Sequence, residues 1–97
     1  MQPKKTTVVK WDTIMHGSPS VVFIGRPGPW ANMFRIGEHG GRKQVVESYR
    51  QWAMAPQQRA FRNRVRCELR GKELACYCHP LPCHGDVLAA IADSPIE

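Results

Sequence analysis

The sequence predicts a small single-domain α/β protein with a short, mostly parallel sheet of about three strands flanked by helices, in a Rossmann-like arrangement. A β-prone segment at 20–25 is followed by two amphipathic helical segments and then by a second strand-like segment at 72–78. A connection of this length suits a right-handed parallel crossover. The 97 residues suffice for one modest core, and 42% hydrophobic with 23% charged residues is ordinary for a globular domain. One domain over 1–97 is therefore expected, with flexible ends at 1–5 and 94–97.

Three segments favour strands. Residues 6–10, Thr-Thr-Val-Val-Lys, are short and β-prone. Residues 20–25, Ser-Val-Val-Phe-Ile-Gly, are apolar on both faces, as expected of a buried central strand. Residues 72–78 form the last predicted strand, in which a period of two places Cys76 and Cys78 on the same face.

Three further segments favour helices. Apolar side chains recur at helical spacing over residues 42–54. Pro56 interrupts the pattern, and residues 57–69 form a second helix for which Gly71 is a fitting C-terminal stop. A third helix runs from about 83 to 93. The predicted element order is therefore β-β-α-α-β-α.

The segment between the second strand and the first helix, residues 26–41, is a long loop. Its two prolines and four glycines exclude a regular element, and loops of this length in small domains are often functional. If strands 20–25 and 72–78 are parallel neighbours, their carboxyl ends lie at one edge of the sheet, where open α/β sheets bind ligands. We therefore expect the loop and the turn at 78–86 to form one cleft.

The chain is basic, with 14 Lys and Arg against 8 Asp and Glu and a formal net charge of +6. Such a charge attracts nucleotides or nucleic acid, although it also describes a merely solvated basic surface. The stretch from 59 to 70, which is mostly the second predicted helix, carries five arginines that either track a phosphate backbone or form the exposed face of an amphipathic helix. These are Arg59, Arg62, Arg64, Arg66 and Arg70.

Two classes of segment are missing from the sequence pattern. No apolar run approaches the ~20 residues that span a membrane. No apolar signal-peptide core follows the basic residues near Met1. A cytoplasmic location is therefore expected, which would be the host cytoplasm if the source is a virus.

The strongest chemical signal is the Cys/His segment Cys76-Tyr-Cys78-His-Pro-Leu-Pro-Cys83-His84-Gly-Asp86. In a reducing compartment such a cluster indicates a metal site or a reactive thiol. One interpretation is a tetrahedral zinc site with Cys76, Cys78, Cys83 and His84 as ligands. The two sulfurs of a Cys-x-Cys pair on a strand lie roughly 6–7 Å apart, which is wide for one ion.

A second interpretation places a reactive thiol or an anion-binding turn at the start of the last helix. Free N–H groups and the helix dipole favour negative charge there, so Cys83 would be a thiolate nucleophile beside a protonated His84. Asp86 is then either a third catalytic residue or a first-turn cap. A third interpretation has the cysteines packing as small apolar side chains, with His84 bound to the backbone.

The remaining cysteine and histidines carry weaker signals. Cys67 is expected to be a partly buried structural thiol on the second helix. His16 and His39 are expected to be loop residues, and His79 a turn position beside the cluster.

Four residues of the loop and the first helix are candidates for ligand binding: Arg26, Trp30, Asn32 and Arg42. The guanidinium of Arg26 follows a strand directly and suits a carboxylate or phosphate, or else a structural salt bridge. Trp30 either stacks on a base or fills the core. Arg42 opposes the dipole at the start of its helix, which favours an anion partner or a loop contact.

These residues resemble a known family. The motif that carries the resemblance is Gly25-Arg26-Pro27, Trp30-Ala31-Asn32-Met33-Phe34, Arg42, Leu69-Arg70-Gly71-Lys72-Glu73-Leu74-Ala75-Cys76-Tyr77-Cys78 and Pro82-Cys83-His84-Gly85-Asp86. It resembles the domain-of-unknown-function family numbered 4326 over roughly residues 20–92, with a looser similarity to family 488 of the same kind. Family 4326 commonly has Gly-Asn-Pro-Phe where this chain has Ala-Asn-Met-Phe, so a differently shaped loop is expected.

The resemblance implies an α/β fold, a site at the Cys/His segment and a bacterial or viral source, but no particular reaction. The residues favour two functions, and the viral source that the resemblance implies adds a third. The first is a cleft that binds an anionic ligand, a nucleotide or nucleic-acid phosphate, whether or not it acts on that ligand. The second is a structural zinc domain that binds a macromolecule without catalysis. The third is a viral accessory protein that binds a host protein.

Overall fold

The computed structural model describes residues 5–11, 19–26 and 28–97. Most of the N-terminal segment that was expected to be flexible, residues 1–4, lies outside the described residues, as does His16. No helix among the described residues is both long enough and apolar enough to cross a membrane.

The elements follow the predicted order β-β-α-α-β-α. They are β1 (Thr7–Lys10), β2 (Val21–Phe23), α1 (Arg42–Met54), α2 (Arg59–Leu69), β3 (Glu73–Cys76) and α3 (His84–Ala92), with a single 3-10 turn at Pro56–Gln58 before α2. The bounds of α1 are those that the apolar periodicity predicts. Pro56 replaces the first turn of the predicted second helix by the 3-10 turn, since proline has no N–H to continue a helix.

The described strands form one parallel sheet in the order β1-β3-β2. Leu74 lies opposite Val8 on one side and opposite Val22 on the other. The predicted parallel pairing of β2 and β3 is therefore confirmed. The prediction that 20–25 is the central strand is wrong, because β1 pairs with the other side of β3 and leaves β2 at an edge.

Both strands that lead to the predicted cleft are shorter than expected. After β2, the N–H of Ile24 still donates to the carbonyl of Ala75 at 3.0 Å, and the chain then leaves the sheet. β3 ends at Cys76, because the next residues turn, with the N–H of Leu81 donating to the carbonyl of Cys78 at 2.8 Å. Cys76 and Cys78 therefore do not share a strand face.

The core lies where α3 packs against the sheet and against the other two helices. Its fully buried large side chains are Ile24, Tyr49, Val65, Leu69, Leu74 and Leu88. Gly85 in the first turn of α3 allows the close approach, since a Cβ there would lie 2.8 Å from Cδ1 of Ile24 and 3.1 Å from Cγ1 of Val8. Gly71, with φ +78°, follows α2 as the predicted helix stop.

Two of the five arginines between 59 and 70 are buried, which corrects the interpretation that they face outward, while the other three are exposed. Arg62 and Arg66 are only 5% and 6% exposed. Nη1 of Arg62 donates to the carbonyls of Ala53 at 2.8 Å and Ala55 at 2.7 Å, and Nη2 donates to Glu97 at 2.8 Å. Arg66 donates to the same carboxylate at 3.0 Å. The carboxylate of Glu97 therefore offsets the charge of both guanidinium groups, and backbone carbonyls accept further N–H groups of Arg62.

The C-terminal segment lies against α2 through these contacts and through Asn63, whose side chain bonds to both backbone groups of Glu97. Whether residues 94–97 are flexible stays a prediction. Cys67, expected to be partly buried, is exposed on α2 instead, because it lies on the side of the helix opposite the buried arginines and Leu69.

Candidate functional site

A cavity of about 550 Å³ opens at the carboxyl ends of β2 and β3, and we call it the cleft. Its walls come from the loop after β2, the first turns of α1, the turn after β3 and the start of α3. The described residues that line it include three arginines and a histidine but no Asp or Glu. They are Gly25, Arg26, Asn32, Phe34, Arg35, Ile36, Arg42, Val45, Val46, Cys76, Tyr77, Cys78, Pro82, Cys83 and His84.

Two thiols meet in the wall of the cleft. Cys76 is the last residue of β3 and Cys83 is the N-cap of α3, and neither forms a disulfide bond in the structure. Their Sγ atoms are 3.1 Å apart, and the two residues are 2% and 3% exposed. A covalent S–S bond is ~2.05 Å long, so the sulfurs are in contact without being bonded.

The two thiols differ in acidity, since the pKa of Cys76 is lowered and the pKa of Cys83 is raised. A hydrogen bond from the thiol of Cys83 lowers the pKa of Cys76 to about 6, with smaller help from the backbone N–H groups of His79 and Cys78 and from the charge of His79, against the opposing effect of burial. The pKa of Cys83 is raised, because this thiol donates to Cys76 and is itself buried. The structure therefore favours Cys76 as the thiolate, where the sequence analysis placed it at Cys83.

The first turn of α3 is closed by its own cap. Sγ of Cys83 accepts the N–H of Gly85 at 3.3 Å, and the carboxylate of Asp86 accepts the N–H of Cys83 at 3.2 Å. The side chain of Asp86 serves as the first-turn cap that the sequence offered as its alternative role. It lines a separate depression together with His79 and Asp93, so the structure does not bring it to the cleft.

His84 lies in the wall of the cleft but is held by the backbone. Its Nε2 is 2.8 Å from the carbonyl of Ile24 and its ring packs against Tyr49, with centroids 5.2 Å apart. A carbonyl only accepts, so Nε2 carries the proton. Burial lowers the pKa of His84, with the charge of Arg26 acting in the same direction. The imidazole is therefore neutral, and it does not supply the positive charge that the thiolate hypothesis assigned to it.

The four proposed zinc ligands, Cys76, Cys78, Cys83 and His84, all line the cleft but do not converge. Among the described residues, no three His, Cys, Asp or Glu side chains are placed to hold one metal ion. The imidazole of His84 is turned to the Ile24 carbonyl, and two of the sulfurs face each other. The donor geometry thus does not support the zinc interpretation.

Asn32 organises the loop rather than presenting its amide to the cleft. Its Nδ2 donates to the carbonyl of Val45 at 3.1 Å, and its Oδ1 accepts the N–H of Phe34 at 2.8 Å. Arg26 donates through Nη2 and Nε to the carbonyl of Asn32, at 3.0 and 3.3 Å. Asn32 is therefore a positioning residue that fixes Arg26 against α1.

Arg42 and Arg35 complete the basic lining. Nη1 of Arg42 lies 3.5 Å from the carbonyl of Pro82, so the side chain reaches across the cleft entrance toward α3. The backbone N–H of Arg35 donates to Nδ1 of His39 at 2.8 Å, which holds the loop and gives His39 a local structural role. Sequence reasoning missed Arg35, since nothing in its local pattern separates it from other loop residues.

Trp30 is the one loop candidate that the structure takes away from the cleft. It is 5% exposed, its carbonyl accepts the hydroxyl of Tyr49 at 3.1 Å, and its ring packs against Phe61. The guanidinium of Arg64 lies 4.9 Å from the centre of the same ring. Trp30 therefore occupies the core, as one of its two sequence interpretations expected.

Comparison with known protein families gives a match over most of the chain. The family model described as a domain of unknown function (DUF4326) matches residues 8–94. No curated protein and no solved structure has significant similarity to the chain. A host-protein partner, a viral or bacterial source and a cytoplasmic location stay predictions. Since the family model covers most of the sequence, including both segments that form the cleft, the chain belongs to the DUF4326 family of domains of unknown function.

Proposed function

We propose that the cleft binds a small phosphate-bearing ligand of the size of a mononucleotide. The observation that carries the proposal is the composition of its wall, in which three arginines face one cavity that no described carboxylate lines. Uncompensated guanidinium groups around a concave surface concentrate anions, and their planar donors match phosphate oxygens.

The shape and apolar lining favour a nucleotide over a bare anion. A volume of about 550 Å³ lies within the roughly 300–1,000 Å³ of typical small-molecule sites. Tyr77 and Ile36 line the cleft and are 65% and 54% exposed, so an aromatic ring and an aliphatic side chain stand at its entrance. Such surfaces suit the flat face of a base, while the arginines suit its phosphate.

The basic groups are also partly preorganised. Arg26 is held by the carbonyl of Asn32 through Nε and Nη2, and its remaining N–H groups are left to face a ligand. Arg35 makes no hydrogen bond through its guanidinium to another described residue. The buried arginines of α2, in contrast, are already engaged with Glu97. This distribution favours a small ligand in the cleft over a nucleic-acid strand along α2.

Calorimetric titration at low ionic strength tests the proposal with the four common nucleoside monophosphates, the matching nucleosides and a single-stranded oligonucleotide. At least one monophosphate is expected to bind, and its nucleoside to bind more weakly. Arg35→Ala should weaken binding about 10-fold or more, because a hydrogen bond to a charged group is worth roughly 1.5–3 kcal/mol. Arg35 is the preferred position since its side chain makes no hydrogen bond or ion pair with another described residue.

Arg50→Ala is the matched control. Arg50 is exposed on α1 and pairs with Glu47, so its removal changes the net charge equally without touching the cleft. Its affinity should equal that of the wild type. Absence of heat with all four monophosphates would refute the proposal, as would equal weakening by the Arg35 and Arg50 variants. Binding of the oligonucleotide alone would replace it with a nucleic-acid function.

A further inference from the structure

The cleft contains a feature that anion binding does not use, namely the two thiols of Cys76 and Cys83. They come from different elements, β3 and α3, and their sulfurs are 3.1 Å apart. Both residues line the wall of the cleft, where they are only 2% and 3% exposed, so a small molecule in the cleft lies next to the two sulfurs and reacts with them when the wall opens slightly. The exposed thiol of Cys67 on α2 has no such partner among the described cysteines.

We propose that Cys76 and Cys83 form a dithiol–disulfide couple that exchanges with low-molecular-weight disulfides entering the cleft. Cys76 is the attacking sulfur and Cys83 the resolving one. Approach of the sulfurs by about 1 Å is enough to reach the length of a disulfide bond. The proposal is independent of the anion-binding function, because it rests on the two sulfur atoms and their access alone.

The exchange proceeds in two balanced steps. The thiolate of Cys76 attacks one sulfur of the small disulfide, forms a mixed disulfide and releases one thiolate, which takes a proton from solvent. Cys83 then loses its proton to solvent and attacks Sγ of Cys76, and the second small thiolate leaves and is protonated. The two protein thiols are oxidised by two electrons, and one small disulfide is reduced to two thiols.

The assignment of roles follows from the surroundings of each sulfur. Cys76 accepts the hydrogen bond of the Cys83 thiol and faces the backbone N–H groups of the turn that contains His79, so it carries negative charge more readily. Cys83 keeps its proton until Cys76 is consumed, at which point the mixed disulfide no longer accepts that hydrogen bond as strongly. A low-pKa attacking thiol beside a resolving thiol is the arrangement that disulfide exchange requires.

The test treats the reduced 97-residue chain with glutathione disulfide and quenches samples over time with acid. Peptide mapping without reduction then locates each sulfur–sulfur bond. The expected product is one intramolecular bond between Cys76 and Cys83, formed through a transient glutathione adduct on Cys76. The matched control, Cys67→Ser, should give the same product at the wild-type rate, since Cys67 lies on the far helix.

Cys83→Ser should stop the reaction at a stable glutathione adduct on Cys76, and adding a small thiol should reverse both products. Mapping of the wild-type protein needs no variant, so it stays decisive if a serine at this N-cap impairs folding. The proposal is overturned if the adduct forms first on the exposed Cys67, or if no bond between Cys76 and Cys83 appears when adducts have accumulated elsewhere.

Discussion

The ionisation of Cys76 gives the sharpest quantitative prediction. Its pKa of about 6 lies well below the ~8.5 of a free cysteine. At pH 6 about half of Cys76 is therefore thiolate, against ~0.3% of a cysteine in an unstructured model peptide. At pH 9 both are mostly thiolate. The alkylation rate of Cys76 divided by that of the peptide should therefore fall about 100-fold from pH 6 to pH 9.

This ratio separates ionisation from access. Cys76 is 2% exposed, so its absolute alkylation rate also depends on how easily the reagent enters the cleft. Limited access lowers the alkylation rate of Cys76 by the same factor at every pH, and so does the lower intrinsic nucleophilicity of a low-pKa thiolate. Neither factor therefore changes how the ratio of the Cys76 rate to the peptide rate varies with pH. The quantity to measure is thus the pH midpoint, not the rate at a single pH.

The assay is site-resolved alkylation by iodoacetamide, with the peptide in the same tube and modification quantified by mass spectrometry. Cys83→Ala should move the midpoint of Cys76 upward, because the main donor to its sulfur is lost. Cys67→Ser should leave the midpoint unchanged. A ratio that stays constant within about threefold across the pH range would show that Cys76 titrates as a free thiol and that the geometric reasoning fails.

Three further predictions concern stability. Gly85→Ala should lower the melting temperature, because the new Cβ would lie 2.8 Å from Cδ1 of Ile24. The cost of overpacking, roughly 1–3 kcal/mol, exceeds the ~1 kcal/mol gain in helix propensity, so a higher melting temperature would contradict the close packing. Thr6→Val should lower the free energy of unfolding by about 1–3 kcal/mol in denaturant titrations, because the buried hydroxyl donates to Asp93 at 2.6 Å and accepts the N–H of Gly71 in the turn between α2 and β3. Thr6→Ser keeps the hydroxyl and should retain most of the stability. The arginine partners of Glu97 lower its pKa to about 2, so the ion pair stabilises the fold at pH values above the unfolded-state pKa of ~4.3, and this stabilisation is lost as the pH falls toward 2. The melting temperature of Glu97→Gln should therefore equal that of the wild type at pH 2 and be lower than it at pH 6.

Local sequence pattern was sufficient for the element order and for the location of the cleft. Helical periodicity predicted the bounds of α1 correctly. Because β2 and β3 are parallel neighbours, their carboxyl ends lie at the same edge of the sheet, which brings the loop after β2 next to the turn after β3. Seven candidate residues from segments about 50 positions apart consequently line one cavity. They are Arg26, Asn32, Arg42, Cys76, Cys78, Cys83 and His84.

The local pattern could not predict the burial of a charged side chain or the ionisation of a thiol, because both depend on partners that are distant in the sequence. Arg62 and Arg66 look like exposed cations locally, and only the carboxylate of Glu97 permits their burial. Which thiol ionises depends likewise on a distance of 3.1 Å between sulfurs on two elements. The helix dipole alone favours Cys83, whereas in the folded protein the backbone N–H groups of His79 and Cys78 also face Cys76, and the thiol that ionises accepts the hydrogen bond of the other.

The basic lining and the sulfur pair share one cavity, so if both proposals hold, the charge state of Cys76 and the binding of an anion influence each other. An anion held among the arginines adds negative charge beside Cys76 and offsets the positive field there, so it disfavours the thiolate and raises its pKa. By reciprocity, a state in which Cys76 carries no charge must bind the anion more tightly. Oxidation to the Cys76–Cys83 disulfide removes that charge completely. If the cleft binds phosphate as proposed, we therefore expect the phosphate ligand to bind more tightly to the oxidised protein than to the reduced one.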